Sequence, residues 1–129
     1  ERSQYARLKK KYASIIDKPK KGIFCEVKFF ETHLCTELFF LYYFRYTSKM
    51  YIEQEPLLKD LNQCCDYRKK VDFFIKCRGL HSYFEKKGGS LSVAIDNSNR
   101  SVSEKSEGNR DYTFSELGRM IEELRMLRQ

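Results

Sequence analysis

Residues 23–46 read IFCEVKFFETHLCTELFFLYYFRY, and this stretch decides the fold. Val27, Phe30, Leu34, Leu38 and Leu41 recur at spacings of three and four, while Phe29, Phe40, Tyr43 and Phe44 widen the stripe until almost every face is apolar. A helix apolar nearly all round has to be wrapped by its neighbours. The pattern predicts one central helix over 23–46, ending near Thr47-Ser48. Its most apolar run, Leu38 to Phe44, lies between Glu37 and Arg45 and falls far short of the roughly 20 residues of a membrane span, so no membrane partner is expected.

Toward the N-terminus, Tyr5, Leu8, Tyr12, Ile15 and Ile16 keep helical spacing among Arg2, Arg7, Lys9, Lys10 and Lys11, which marks an amphipathic helix over 2–17. Pro19 disfavours helical geometry at Lys18 and ends it. Toward the C-terminus, Pro56 opens a short helix to Cys65 with Leu57, Leu58, Leu61, Cys64 and Cys65 on its apolar side. After Asp66-Tyr67-Arg68 a longer helix is expected to run to about Lys86, with Val71, Phe74, Ile75, Leu80 and Phe84 inward. Gly79 inside it calls for a bend or a close neighbour.

Gly88-Gly89-Ser90 stops that helix, and Leu91 to Ile95 alternate as a short strand or extended segment would. Residues 96–111 carry a single apolar side chain, Val102, so burial offsets little chain entropy and a flexible loop is expected. Thr113 and Glu116 stand as a capping box before a last helix to about Arg128, striped by Leu117, Met120, Ile121, Leu124 and Leu127.

The chain has 129 residues, 41% hydrophobic and 33% charged, with 10 Phe and 9 Tyr but only 6 Gly and 2 Pro. That supports one folded core, and too few turn residues exist for a many-stranded sandwich. The expected fold is all-α, a bundle of four to five helices over 1–95, a flexible loop over 96–111, and a C-terminal helix over 112–129 packing on the bundle or on a partner chain. Without an initial Met or a signal segment, the chain is expected to be part of a longer protein. Five cysteines, an odd number with no C-x-x-C pair, fit a reducing intracellular compartment better than a disulfide framework.

Chemistry is sparse. Cys25, Cys35, Cys64, Cys65, Cys77, His33 and His81 include zinc's ligand types, but only Cys77 and His81 share a helical face, so no metal and no cofactor is expected. The same residues supply the one nucleophile–base constellation, Cys77 with His81 or Cys35 with His33, without a supporting motif. Glu26, Glu31 and Glu37 read as solvent-facing helix charges, and no enzyme is expected. The net charge of +7 gathers in two blocks, residues 1–22 and 57–90. Lys9, Lys10, Lys11 and Lys70, with Arg68 and Lys69 beside Tyr67, suit phosphates and stacked bases, which makes nucleic acid the alternative partner. Solvated helix faces account for the same lysines.

Ile15-Ile16-Asp17 before the Pro/Gly linker, and Cys65-Asp66-Tyr67-Arg68-Lys69-Lys70-Val71, together place an Ile-Asp pair and an aromatic-basic pair at two interhelical turns. In these turns, and from Glu55-Pro56-Leu57-Leu58 to Leu80-His81-Ser82-Tyr83-Phe84-Glu85-Lys86, the chain resembles the TFIIS N-terminal type of helical domain. Within that type it resembles the integrase-binding domain of the hepatoma-derived growth factor family, over residues 2–88. The resemblance implies a nuclear chromatin or transcription adaptor that receives short acidic, Phe-containing peptides, with Ile16, Asp17, Tyr67 and Arg68 at the contact positions and Lys69 beside them. On residue chemistry alone, Tyr67 closing the core at a turn and Asp17 ending a helix are equally good readings. The expected function is a non-enzymatic adaptor module docking a protein or peptide, with homodimerisation through the C-terminal helix as a further option.

Overall fold

A computed structural model describes residues 2–16 and 27–128, and the chain is all-α. Among these residues stand seven helices: α1 (Arg2–Ile16), α2 (Glu37–Tyr42), α3 (Gln54–Leu61), α4 (Val71–Cys77), α5 (Leu80–Lys86), α6 (Leu91–Gly108) and α7 (Leu117–Leu127). An isolated bridge of β type joins Thr32 to Ser115. Two of the expected long helices are interrupted, one of them dividing in two, and a further helix forms where none was expected, so the described residues hold seven helices against the expected four or five.

The first interruption falls in the deciding stretch. Of the expected 23–46 helix only α2 forms among the described residues, because Leu34 takes a left-handed φ of 70° and residues 27–33 before it are not helical. That segment satisfies its backbone against residues 114–116 instead of within a helix. His33 N donates to Phe114 O at 2.9 Å, Glu116 N to Glu31 O at 2.8 Å, and Glu31 N to the Glu116 carboxylate at 2.8 Å. Its aromatic and β-branched residues tolerate such pairing. The central position is nevertheless right for α2, whose Leu38, Leu41 and Tyr42 are fully buried with Leu57 and Leu61 of α3, Phe84 of α5 and Ala94 of α6. Phe84 gathers the rings of Phe40, Tyr43 and Phe44 at 5.0, 5.1 and 5.9 Å, so this core is largely aromatic.

The second interruption lies at Arg78 and Gly79, with φ of 55° and 110°, which divides the helix expected from after Arg68 to about Lys86 into α4 and α5. The consequence is an inversion of α4. Val71, Phe74 and Ile75, expected inside, are exposed, and the other face meets the bundle through Phe73, whose ring sits 5.5 Å from Tyr67 and 5.1 Å from Tyr83. Seven residues offer two stripes one turn long, and only one can be buried.

Residues 91–95 are helical rather than extended, and 96–108 continue the same helix instead of forming a loop. A count of apolar side chains misses α6 because its inner face is written in small residues. Ala94, Ser98 and Ser101, spaced four and three apart, are fully buried. Both hydroxyls are satisfied. Ser98 Oγ donates to Ser115 O at 2.6 Å and accepts from Gly118 N at 3.0 Å, while Ser101 Oγ donates to Ser98 O at 2.6 Å and accepts from Ser115 N at 3.0 Å. Hydrogen bonding removes most of the penalty of burying them. Small side chains also let α7 approach closely, since a Cβ on Gly118 would lie 2.8 Å from Ser98 Cβ.

The expected capping box does not form. Helix α7 starts at Leu117, and Thr113, at φ 48°, donates its hydroxyl to Lys49 O at 2.5 Å, while the Glu116 carboxylate is spent on Glu31 N. Both side chains tie neighbouring segments together instead of closing a helix end.

Candidate functional site

The Tyr67-Arg68-Lys69-Lys70 turn leaves the core between α3 and α4. Tyr67 is 3% exposed; its hydroxyl donates to Glu37 Oε1 at 3.0 Å, and its ring packs against Phe40 and Phe73 at 5.6 and 5.5 Å. Burial pushes its phenol far up, and the Glu37 charge adds to this. The Tyr67 ring therefore supports the turn from beneath and does not face solvent.

Glu37, expected on the surface, is buried in the first turn of α2. Burial by itself raises its carboxyl. Hydrogen bonds from its own backbone, Cys35, Lys69 and Tyr67 together outweigh that and hold it below the usual carboxylate range. Lys69 Nζ lies 3.2 Å from Glu37 Oε1, so this lysine latches the turn to α2. Arg68 reaches its neighbour's carbonyl, Tyr67 O, at 3.5 Å, and remains exposed with Lys70.

Immediately after the turn, α4 presents Val71, Phe74 and Ile75 at 72%, 40% and 70% exposure, one outward stripe at spacings of three and one. Lys70 precedes the stripe, Lys76 flanks it and Arg78 follows it. None of these three has a carboxylate partner among the described residues. Asp72 is the sole acid of α4, so the rim is strongly positive. Arg68 extends that rim along the turn. The sequence reading missed the stripe because Val71, Phe74 and Ile75 fit an inward face equally well; the competing Phe73–Cys77 pair, four apart, was the available signal.

The other expected site residues are spread apart. Asp17, Cys25 and the side chain of Ile16 lie outside the described residues. In α1, Tyr5 and Tyr12 pack edge-on against Phe29 at 6.0 and 6.2 Å. Lys9 lies 4.8 Å from the Tyr5 ring centre and 3.4 Å from Glu31, which commits it to holding α1, whereas Lys10 and Lys11 are exposed. Within the described part of the N-terminal basic block Lys9 is anchored on residues 29–31, and in the second block Lys69 is anchored on α2.

The nucleophile–base pairs do not form either. Burial, with the Glu37 charge, pushes the Cys35 thiol up to about 11, so it is protonated at neutral pH. His33 Nε2 lies 2.9 Å from Tyr51 O, His81 Nδ1 lies 3.1 Å from the Tyr43 hydroxyl, and the other His81 nitrogen pairs with Glu85. Cys77 Sγ donates to Phe74 O at 3.5 Å. Among the described residues no three His, Cys, Asp or Glu side chains gather as a metal would require, and no helix is long and apolar enough to cross a membrane. No protein-family model matches the chain, and neither the curated proteins nor the solved structures compared with it give a match.

Proposed function

We propose that this domain is a non-enzymatic docking module that takes an acidic, amphipathic segment of another protein across α4 and the Arg68–Lys70 turn. One observation carries it: three large apolar side chains are left in water on a short helix rimmed by the cations Arg68, Lys70, Lys76 and Arg78. Isolated exposed apolar residues are ordinary, but a stripe at helical spacing with a one-signed rim matches a helix bearing apolar anchors and flanking carboxylates. Tyr67, Phe73 and the Glu37–Lys69 pair hold this platform rigid, which lowers the ordering cost of binding. In this reading Arg68 and Lys69 keep roles in partner recognition, Arg68 by contact and Lys69 by positioning, while Tyr67 acts from below. The nuclear setting of this proposal rests on the sequence resemblance, and the intracellular one on the odd cysteine count without a C-x-x-C pair.

The test is fluorescence anisotropy with a labelled 16-residue peptide carrying Phe and Leu one helical turn apart and Glu on both flanks. Ile75→Glu is expected to weaken binding at least tenfold while leaving the circular dichroism and the urea midpoint unchanged, because the side chain buries little in the free protein. A single-stranded 20-nucleotide probe serves as the counter-test. If that probe binds more tightly than the peptide, loses affinity steeply with salt, and ignores Ile75→Glu, the module reads nucleic acid through Lys9, Lys10, Lys11 and Lys70 instead.

A further inference from the structure

A second apolar surface lies apart from α4, where α7 runs beside residues 28–30. Phe30, Met120, Leu124 and Leu127 floor a groove of about 520 Å³, and the 2.9 Å ion pair between Lys28 and Glu123 closes one wall. Leu124 and Leu127 are 54% and 83% exposed. The volume falls inside the range of roughly 300–1,000 Å³ typical of binding clefts, and the flexible methionine lets the floor adapt to different anchors.

Charge decides what fits. Every carboxylate on or beside α7 is already engaged inside the molecule. Glu116 accepts from Glu31 N and pairs with Arg119 at 3.9 Å, Glu122 accepts from Asn99 at 2.7 Å, and Glu123 holds Lys28. Arg125 and Arg128, exposed in the last turn beside Leu124 and Leu127, have no partner among the described residues. A second copy of α7 laid into the groove would bring arginine against arginine with no free carboxylate to offer, which disfavours the homodimer. We infer that the groove between α7 and residues 28–30 receives an amphipathic helix from a different protein, with apolar anchors one turn apart seated on Phe30, Leu124 and Leu127 and a carboxylate reaching Arg125 and Arg128. This surface is separate from the α4 stripe and stands or falls without it.

The chain has three methionines, Met50, Met120 and Met126, and two of them line the groove. Carbon-13 labelling of their methyl groups therefore gives an NMR reporter that does not sense α4. Titration with a 16-residue helical peptide carrying Leu at i, i+3 and i+7 and Glu at both flanks is expected to shift Met120 and Met126 saturably and leave Met50 in place. Leu124→Glu should abolish the shifts. The double variant Arg125→Glu/Arg128→Glu should weaken the Glu peptide at least tenfold and strengthen its Lys-for-Glu counterpart, which guards against a fold defect in the first variant. Failure of the α4 reading would leave these shifts intact. The proposal is overturned if Met120 and Met126 do not move at millimolar peptide, or if the Lys peptide binds the unmodified chain as well as the Glu peptide. It is equally overturned if the two methyls shift with protein concentration alone while sedimentation gives a dimer that Leu124→Glu dissolves, since the occupant would then be a second copy.

Discussion

Replacing Gly118 by Ala tests how α6 and α7 are joined. The added Cβ would lie 2.8 Å from both Ser98 Cβ and Ser98 Oγ and 3.0 Å from Ile95 O, and the last is backbone that cannot rotate away. Overpacking of this kind costs about 1–3 kcal/mol. Ser98 Oγ also donates to Ser115 O and accepts from Gly118 N, so displacing it strands a buried polar group at about 1–3 kcal/mol. Against these, Ala is favoured over Gly in a helix by at most about 1 kcal/mol, less near the helix start. The net expectation is destabilisation of about 2 kcal/mol. With a urea slope of about 1–3 kcal/mol per M, the midpoint falls by roughly 1 M. Equilibrium urea unfolding followed by circular dichroism reads this directly. Ser98→Gly placed in the same chain removes Ser98 Cβ and Oγ, two of the three close atoms, so the double variant should lose less than the sum of the two single losses. A Gly118→Ala chain that is more stable than the parent would show that helix propensity outweighs the contact, and the close-packed joint would be wrong.

Two further outcomes follow from the same geometry. Glu37→Gln removes a charge that accepts from Tyr67 and Lys69, and is expected to cost about 1.5–3 kcal/mol at pH 7. Because the folded carboxyl sits below its ordinary value of 4.5, its stabilisation is full above that value and is lost as pH falls through the folded one; the parent's urea midpoint should drop in that window, and that of the Glu37→Gln variant should drop less. Equal acid sensitivity in both would place the titrating group elsewhere. Gly79→Ala meets no atom within 4 Å, so its effect isolates the φ of 110° between α4 and α5. A loss of about 1–3 kcal/mol is expected from strain, whereas a gain of up to about 1 kcal/mol, as from a less flexible unfolded chain, would contradict that backbone geometry.

Some of this was open to reading from residues alone. The periodic run in α1 gives its helix directly, and the apolar excess around Leu38 to Phe44 marks the centre of the core whatever its backbone does. Helix α6 was not legible as an apolar stripe, because Ala94, Ser98 and Ser101 count as weak or polar on any hydrophobic scale and become core only when Ser115 and Gly118 arrive to satisfy and fit them. The α4 stripe failed for the opposite reason. Val71, Phe74 and Ile75 signal burial, yet Phe73 already fills the space between Tyr67 and Tyr83.

The order of residues thus determined helix as the dominant local state, since spacing of three and four acts within one or two turns and needs no distant partner. Tertiary structure decided where the helices break, which face of each turns inward, and which charges are spent inside the molecule. Those outcomes depend on partners tens of residues away, as Glu31 with Glu116 and Tyr67 with Glu37 show, and a partner at such range leaves no periodic trace in the chain.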